Sequence, residues 1–256
     1  MIKRKLKNFL RVIIFFFIRN LKILPSEINF ISKIKLRDIE INFKANNDIT
    51  RRRWLAFERT GKEINTLNWI DNFEENSIFY DIGANVGVFS VYAALKKRAK
   101  VYAFEPEPNS FIELVKTTEI NQVNIVPMMV PLSDKFEFNF FNLKNRFEAG
   151  KSRHYFGDKN DQKFSFGICS TSIDNMIEEK KIPSPNYIKI DVDGLEARII
   201  NGLQNLLEEK SLISILIEFM HDKERIFYTD LLKKKSFFLI EGPSGNNRNY
   251  IYKRVL

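Results

Sequence analysis

The central part of the chain alternates short apolar runs with segments of helical periodicity, and this alternation limits the fold more than any other feature of the sequence. Runs of strand length lie at Ile78–Asp81, Lys100–Glu105, Asn124–Val130, Tyr187–Asp191 and Leu212–Glu218. Between them, apolar residues recur at helical spacing near residues 87–98, 109–121, 173–180 and 194–207. Strands that alternate with helices predict an α/β fold built on a mostly parallel sheet.

The two ends of the chain add further elements to this core. The sequences SFFLIEG and NYIYKRVL flank the turn-rich GPSGNNR and predict an antiparallel strand at the end of the sheet. Residues 30–43 alternate apolar and polar side chains around Arg37 and Asp38, which predicts a β-hairpin. We therefore expect a basic N-terminal helix and a hairpin within residues 1–60, and the main domain in residues 61–256. Residues 142–163 predict an irregular excursion over one face.

The charge and cysteine content exclude several classes of function. The formal net charge is +9, but seven positive charges precede the first acidic residue, Glu27, so the rest of the chain is close to neutral. A nucleic-acid site is expected to spread along a face of the domain, so no nucleic-acid partner is predicted. The single cysteine, Cys169, excludes intramolecular disulfides and favours a reducing, cytoplasmic location. We expect its side chain to be buried.

The basic N-terminal segment has two interpretations. Its uninterrupted apolar run, Val12–Ile18, is flanked by Arg11 and Arg19 and is far shorter than the roughly 20 residues that span a bilayer. No small-residue cleavage site of a signal peptide follows it. Residues 1–24 would either dock on the domain as a helix or lie peripherally in an anionic membrane at its cytoplasmic face.

The first strand runs directly into the loop DIGANVG, where a ligand site is expected. Ligands of open α/β sheets bind outside the carboxyl ends of the strands, at the point where strand order reverses. Gly83 permits a tight turn, and Gly87 lets the next helix begin with its amides directed at a ligand. A dinucleotide site carries a second glycine where this loop has Asn85. Asp81 would repel a diphosphate and favour a cation such as a sulfonium.

An acidic residue at the end of the second strand indicates a nucleoside. Glu105 can accept hydrogen bonds from ribose hydroxyls, which nicotinamide dinucleotides and S-adenosylmethionine (SAM) share. At this point the chain resembles the FkbM family of SAM-dependent methyltransferases. The resemblance covers roughly residues 60–219 and is carried, in this order, by FYDIGANVGVFSVYAA, VYAFEPEPNSFIELVKTTEIN, VPLSD, STSIDNMI, YIKIDVDGLEARIINGL and ILIEF. It implies a Rossmann-like class I methyltransferase fold and, commonly, O-methylation of a hydroxyl in sugars or sugar-containing metabolites such as glycan precursors.

The resemblance also implies roles for individual residues around SAM. Asp81, Gly83 and Gly87, with Asn85 between them, would line the methionine side, and Glu105 would hold the ribose.

Four further residues would complete this cofactor site. Ser133 and Asp134 would lie near the adenine, and Asp191 would point into the cleft beside the sulfonium. Glu63 would close the site from the upstream segment. The family more often has glutamate where this chain has Asp193, so a contact by that residue is not carried over.

The sequence leaves the catalytic base open. An alcohol must lose a proton as it is methylated, and Asp191, His221 and His154 are the candidates. Alternatively, Asp191, Glu218 and Asp222 would gather at adjacent strand ends as oxygen ligands of Mg²⁺, which would lower the pKa of the acceptor.

Two other functions fit parts of the pattern. A nicotinamide-dependent oxidoreductase shares the sheet and the position of Glu105. A non-catalytic, membrane-associated protein on the same fold would account for the basic tail.

Overall fold

The computed structural model describes residues 31–44, 51, 54, 55, 57, 63–143, 154–158, 164–192, 194–243 and 248–255. The predicted N-terminal helix, with its two interpretations, lies outside the described residues. Among those described, no helix combines the length and the apolar character needed to cross a membrane.

The predicted hairpin is confirmed. Strands β1 (Ile31–Leu36) and β2 (Ile39–Lys44) pair antiparallel, and Arg37 adopts a positive φ of 56° in the turn between them. The hairpin packs on a helix of the main fold, because the side-chain amide of Asn121 both accepts from the backbone N–H of Asn42 and donates to its carbonyl, at 2.9 and 2.7 Å.

A seven-stranded sheet forms the centre of the molecule. Its strands are β3 (Ile78–Ile82), β4 (Lys100–Phe104), β5 (Ile125–Met128), β9 (Tyr187–Ile190), β10 (Ser214–Glu218), β11 (Phe237–Glu241) and β12 (Asn249–Arg254). Their order is β11-β12-β10-β9-β3-β4-β5, and the pairs from β10 to β5 are parallel. Strand β12 is antiparallel to both of its neighbours, which confirms the predicted antiparallel element.

The strand order reverses between β3 and β9. From β3 the chain proceeds outward to β4 and β5, and it then returns to the other side of β3 to add β9 and β10. The carboxyl ends of β3 and β9 therefore flank the position where an open sheet of this kind binds a ligand.

Helices lie between the strands, most of them where the sequence predicts. They are α1 (Ile64–Asp71), α2 (Val88–Lys97), α3 (Pro108–Asn121), α4 (Ile173–Glu178), α5 (Glu196–Asn201) and α6 (Asp222–Lys234). Helix α5 ends earlier than predicted, and a short 3₁₀ turn at Leu206–Glu208 follows it. Helix α6 was not predicted from the sequence.

The excursion after β5 is a small second sheet, so the prediction of an irregular stretch is wrong for its described part. Strands β6 (Glu137–Leu143), β7 (Tyr155–Gly157) and β8 (Phe164–Ser170) pair antiparallel in the order β7-β6-β8. One face of this sheet packs Phe141, Leu143 and Phe156 into a cluster of its own. Cys169 lies exposed on the opposite face, which corrects the prediction that it is buried.

Candidate active site

The loop after β3 is folded tightly against the neighbouring strands. The amides of Gly83 and Ala84 both donate to the carbonyl of Phe104, each at 3.0 Å, and the amide of Gly87 donates to the carbonyl of Ala84 at 2.9 Å. Asn85 adopts a left-handed conformation with φ of 52°, and its side-chain oxygen accepts from the next amide. The loop thus reverses direction within a few residues at the switch point of the sheet.

Both glycines of the loop are required by protein packing. At Gly83, where φ is +78°, an added Cβ would lie 1.8 Å from the carbonyl oxygen of Asp191. At Gly87, where φ is +87°, it would lie 2.5 Å from a methyl group of Leu114. Gly83 therefore lets the β3 loop approach the β9 loop, and Gly87 lets α2 approach α3.

Glu105 stands at the end of β4 with its carboxylate fixed by backbone amides. Its two oxygens accept hydrogen bonds from the amides of Asn85, at 2.7 Å, and Glu107, at 2.8 Å. The side chain is almost fully buried and lines a cavity at the carboxyl edge of the sheet. A carboxylate is a hydrogen-bond acceptor, so its position in the cavity suits a ligand that carries hydroxyl groups. The neighbouring Glu107 caps the start of α3.

This cavity is bounded by the ends of four parallel strands and by the small sheet. Its polar lining comes from Asn85, Glu105, Asp191 and His154. Its apolar lining comes from the end of β4, from the segments that follow β4, β5 and β9, and from the small sheet. These residues are Phe104, Pro106, Val130, Pro131, Leu132, Phe141, Phe156, Val192, Leu195 and Ile199. A carboxylate at one wall with apolar surfaces around it suits a nucleoside, whose ribose is polar and whose base is flat and apolar.

Asp81 is buried beneath the cavity. One carboxylate oxygen accepts from the hydroxyl of Ser90 at 2.6 Å, and the other lies 3.8 Å from the ammonium of Lys189 and has no hydrogen-bond partner among the described residues. Burial raises the pKa of Asp81, whereas Lys189 and Ser90 oppose the shift. The cavity lining includes the adjacent Ile82 and Gly83 but not Asp81. Its predicted contact with a cofactor therefore stays a prediction.

Lys189 is a buried residue beside the cavity that the sequence analysis did not single out. It lies on β9, directly beside Asp81 on β3, and its side chain is 2% exposed. The ammonium donates to Asp191 at 2.8 Å and lies 5.2 Å from the ring centre of Phe89. Burial lowers the pKa of Lys189, but the carboxylates of Asp191 and Asp81 outweigh it, so the pKa is raised. Lys189 is therefore a buried cation.

Asp191 is part of the cavity lining, and its predicted position beside a sulfonium stays a prediction. It directly follows β9, its side chain is 31% exposed, and it lines the cavity. Glu218, at the end of the adjacent strand β10, hydrogen-bonds to it. Burial, that hydrogen bond and the negative charge of Asp191 raise the pKa of Glu218 to about 9, against the opposing effect of Lys189. Glu218 is therefore a neutral acid at neutral pH.

Glu63 approaches the same strand ends from the start of α1. Its carboxylate accepts from the side-chain amide of Asn249 on β12 and from the hydroxyl of Thr66. Asn249 pairs with Glu218 across β10 and β12, so Glu63 and Glu218 lie on either side of it. This position is consistent with the predicted closing role of Glu63, which no observation tests directly.

Ser133 and Asp134 lie outside the cavity lining, among the described residues. The Ser133 hydroxyl donates to Asp134 at 2.9 Å, and Asp134 forms an ion pair with Arg198 at 2.8 Å. Burial raises the pKa of Asp134, but the bonds from Arg198 and Ser133 lower it overall. The cavity is instead lined by the preceding segment, which ends at Leu132. The predicted contact of the SD pair with an adenine stays a prediction.

The two histidines occupy different environments. His154 lines the cavity beside Phe141, and both of its ring nitrogens are buried. His221 is exposed at the start of α6 and does not belong to the described cavity lining.

The candidate metal ligands are only partly brought together. Asp191 and Glu218 are neighbours, but Asp222 is 84% exposed and pairs with Arg225. Within the described ranges no group of three or more acidic, histidine or cysteine side chains is arranged to hold a metal ion.

Comparisons with known proteins agree with this geometry. Residues 81–246 match the family model described as "Methyltransferase FkbM domain". A solved FkbM methyltransferase from Methylobacillus flagellatus KT superimposes with a TM-score of 0.52 at 14% identity, over 71% of this chain and 44% of that one. The fold is therefore the class I methyltransferase fold. The chain belongs to the FkbM methyltransferase family, which decides against a nicotinamide-dependent oxidoreductase.

Two curated relatives share part of the sequence. The hexuronic acid methyltransferase AglP of Haloferax volcanii is 27% identical over 148 residues, which are 58% of this chain and 59% of that protein. Methyltransferase 1 of Beauveria bassiana is 24% identical over 192 residues, or 67% of this chain and 76% of that protein. The chain thus spans less than two thirds of AglP.

Proposed function

We propose that this protein is a SAM-dependent O-methyltransferase that methylates a hydroxyl group of a sugar or glycan precursor. The observation that carries the proposal is the cavity at the switch point, which both Glu105 and Asp191 line. Family membership supports the methyl transfer, and the name of AglP supports a sugar as the acceptor.

The residues around the cavity match the parts of SAM. Glu105 would accept hydrogen bonds from the two ribose hydroxyls, because it lines the cavity at the end of β4 and the amides of Asn85 and Glu107 hold its carboxylate in place. The apolar segment that ends at Leu132, with Phe104, would enclose the adenine. The acidic side chain of Asp191 would face the cationic end of the molecule.

The protein must align the acceptor and exclude water for the transfer to occur. When bound, SAM supplies a methyl group activated by its sulfonium. Holding an acceptor oxygen in line with that methyl group can lower the barrier by several kcal/mol, about 7–11 kcal/mol in the best-oriented systems. His154, Phe141 and Phe156 of the small sheet form a cover on one side of the cavity and would keep water from it.

A transfer assay with an unfractionated acceptor tests the proposal. Glycans extracted from cells that lack the protein are incubated with purified protein and SAM and analysed by mass spectrometry. The proposal predicts a glycan that gains the mass of one methyl group and a product that survives mild alkali, as an ether does. A protein that binds S-adenosylhomocysteine (SAH) but modifies no glycan would contradict the acceptor class, and one that does not bind SAH would contradict the methyltransferase activity. A parallel reaction with EDTA decides whether a divalent metal takes part.

A further inference from the structure

Polar side chains from four adjacent strands form a row along the carboxyl edge of the sheet. Asp81 on β3 pairs with Lys189 on β9 in the ladder, and Asp191 lies two residues further on, on the same face. One residue past the last β9–β10 pair, Glu218 stands beside Asp191, and Asn249 of β12 lies opposite Glu218. Asp191 lines the cavity and Asn249 bonds to Glu63 at the start of α1, so the row runs from the cavity to α1.

The buried lysine fixes Asp191 from the interior. Its ammonium lies 2.8 Å from Asp191 and 3.8 Å from Asp81 and is enclosed by protein, so it cannot exchange these carboxylates for water. An ion pair of this kind holds the carboxylate of Asp191 in one orientation and in its charged form. The outer side of Asp191, which is 31% exposed, remains accessible from the cavity.

Glu218 completes the surroundings of Asp191 from the next strand. Two carboxylates at hydrogen-bond distance cannot both be ionised without strong repulsion, and the more buried one keeps a proton. The groups that face Glu218 are Asp191 and Lys189 from β9, Asn249 from β12 and Glu63 from the start of α1. Burial and the neighbouring Asp191 raise the pKa of Glu218, so of the two acids Glu218 is the one expected to hold a proton and donate it to Asp191.

We propose that Asp191 takes the proton of the acceptor hydroxyl, and that Lys189 and Glu218, which flank it on β9 and β10, are its positioning residues. This inference rests on the proposed methyltransferase function. In the reaction, the acceptor oxygen bonds to the methyl carbon and the carbon–sulfur bond breaks with its electron pair left on sulfur. The hydroxyl proton passes to a carboxylate oxygen of Asp191 and then to solvent from the exposed side of that residue.

The positions of the other candidates favour Asp191 as the base. A base must come within hydrogen-bond distance of the acceptor hydroxyl, or reach it through one water. His221 lies exposed at the start of α6, and both ring nitrogens of His154 are buried against the small sheet. Asp81 is fully buried, so of the carboxylates in contact with Lys189 only Asp191 reaches the cavity, as far as the described residues show.

Four variants separate the roles. Asp191→Asn keeps the shape but removes the base. Glu218→Gln keeps a neutral group that can donate to Asp191, whereas Glu218→Ala removes the donor. Asp230→Asn, which changes an exposed acid of α6 outside the cavity lining, is the matched control.

Two measurements do not require the acceptor to be identified. Calorimetry with SAH is expected to give similar affinities for wild type, the two Glu218 variants and the control, because neither Glu218 nor the control residue is assigned to the cofactor. For Asp191→Asn the same titration measures what the carboxylate contributes to cofactor binding, so the rate of this variant is compared at saturating SAM. Infrared difference spectroscopy at about pH 7 is expected to show a carboxylic-acid C=O band in wild type that Glu218→Gln lacks.

The third measurement is methyl transfer from labelled SAM to the glycan extract. Asp191→Asn is expected to lose about 100-fold to 10,000-fold in rate, the usual contribution of a positioned base. Glu218→Gln should retain most of the rate, Glu218→Ala should lose much of it, and Asp230→Asn should match wild type.

The outcomes distinguish this inference from the proposed function. If wild type binds SAH and methylates the extract but Glu218→Gln is as inactive as Asp191→Asn, or the infrared band is missing, then Glu218 acts as an ionised group and the inference is overturned. Full activity of Asp191→Asn would also overturn it. If wild type does not bind SAH, the proposed function itself fails.

Discussion

Replacing Lys189 by methionine should destabilise the protein strongly, because it removes the positive charge that pairs with the buried carboxylate of Asp81. The ammonium lies 3.8 Å from Asp81, with side chains 2% and 0% exposed. At an effective dielectric constant of about 20, two unit charges at this distance attract by about 4 kcal/mol. Removal of one partner from a buried ion pair typically costs about 3–5 kcal/mol, which agrees with that value. For a domain of this size the expected fall in melting temperature is about 10 °C.

Thermal and urea denaturation of matched variants would test this value. Lys96→Met is the control, because Lys96 makes an ion pair of 2.8 Å with Asp38 at the surface, and its loss should leave the melting temperature nearly unchanged. The double variant Asp81→Asn with Lys189→Met should regain part of the loss, since it removes both charges. A coupling of up to about 3 kcal/mol between the two sites is expected from residues in direct contact.

A Lys189→Met protein as stable as the Lys96→Met protein would refute this reasoning. It would mean that the ammonium is solvated or that Asp81 is neutral without it. The role of Lys189 in fixing Asp191 would then have no energetic basis.

Three further expectations concern backbone packing, pH dependence and substrate charge. Gly83→Ala should destabilise the protein by about 2 kcal/mol or more and abolish SAH binding, because φ is +78° and the new Cβ would lie 1.8 Å from the Asp191 carbonyl. Gly242→Ala is the control, since a Cβ there meets no atom within 4 Å and should change neither stability nor binding. Equal effects of the two substitutions would contradict the packing argument. The raised pKa of Glu218, about 9 against 4.5, means that the folded state keeps a proton that the unfolded state releases. Relative to Glu218→Gln, the free energy of unfolding of wild type should therefore fall as the pH rises from about 4.5 to 9, by at most about 1.4 kcal/mol per pH unit. The same pH dependence of the unfolding free energy in both proteins would contradict this. The acidic row should also favour a neutral sugar over one with a carboxylate or phosphate next to the reacting hydroxyl, which relative kcat/KM values would check; a preference for the anionic sugar would contradict it.

The strands of the central sheet could be predicted because their sequence signal is strong. The runs beginning at Ile78, Lys100 and Tyr187 are apolar on both faces and end in acidic residues, and the structure places their bounds within about two residues of the prediction. The loop DIGANVG could also be placed, because its glycines directly follow such a strand.

The small sheet and helix α6 could not be predicted because neither has a regular apolar face. In the small sheet Phe138 is 64% exposed, so apolar residues occur on both faces and the alternation is lost. In α6 only Tyr228 and Leu232 are buried, and the charged residues around them hide the helical period.

The contacts between the site residues could not be predicted from the sequence, because they depend on which strands lie side by side in the folded sheet. A lysine in the run YIKI gives no signal of burial, because such a residue is most often solvated. Its pairing with Asp81 follows from the register between β3 and β9, which are distant in sequence. The same applies to Glu218, which the sequence suggested as a metal ligand and which the structure pairs with Asp191.

Calorimetric titration with SAH tests the central claim, that the cavity at the switch point holds SAM, most directly. Wild type should bind one SAH per chain and should not bind NADH. Glu105→Gln keeps the side-chain shape but removes the carboxylate that would accept hydrogen bonds from the ribose hydroxyls. This variant should bind SAH at least about tenfold more weakly. Absence of SAH binding by the wild-type protein, or unchanged affinity of Glu105→Gln, would contradict this placement of the cofactor.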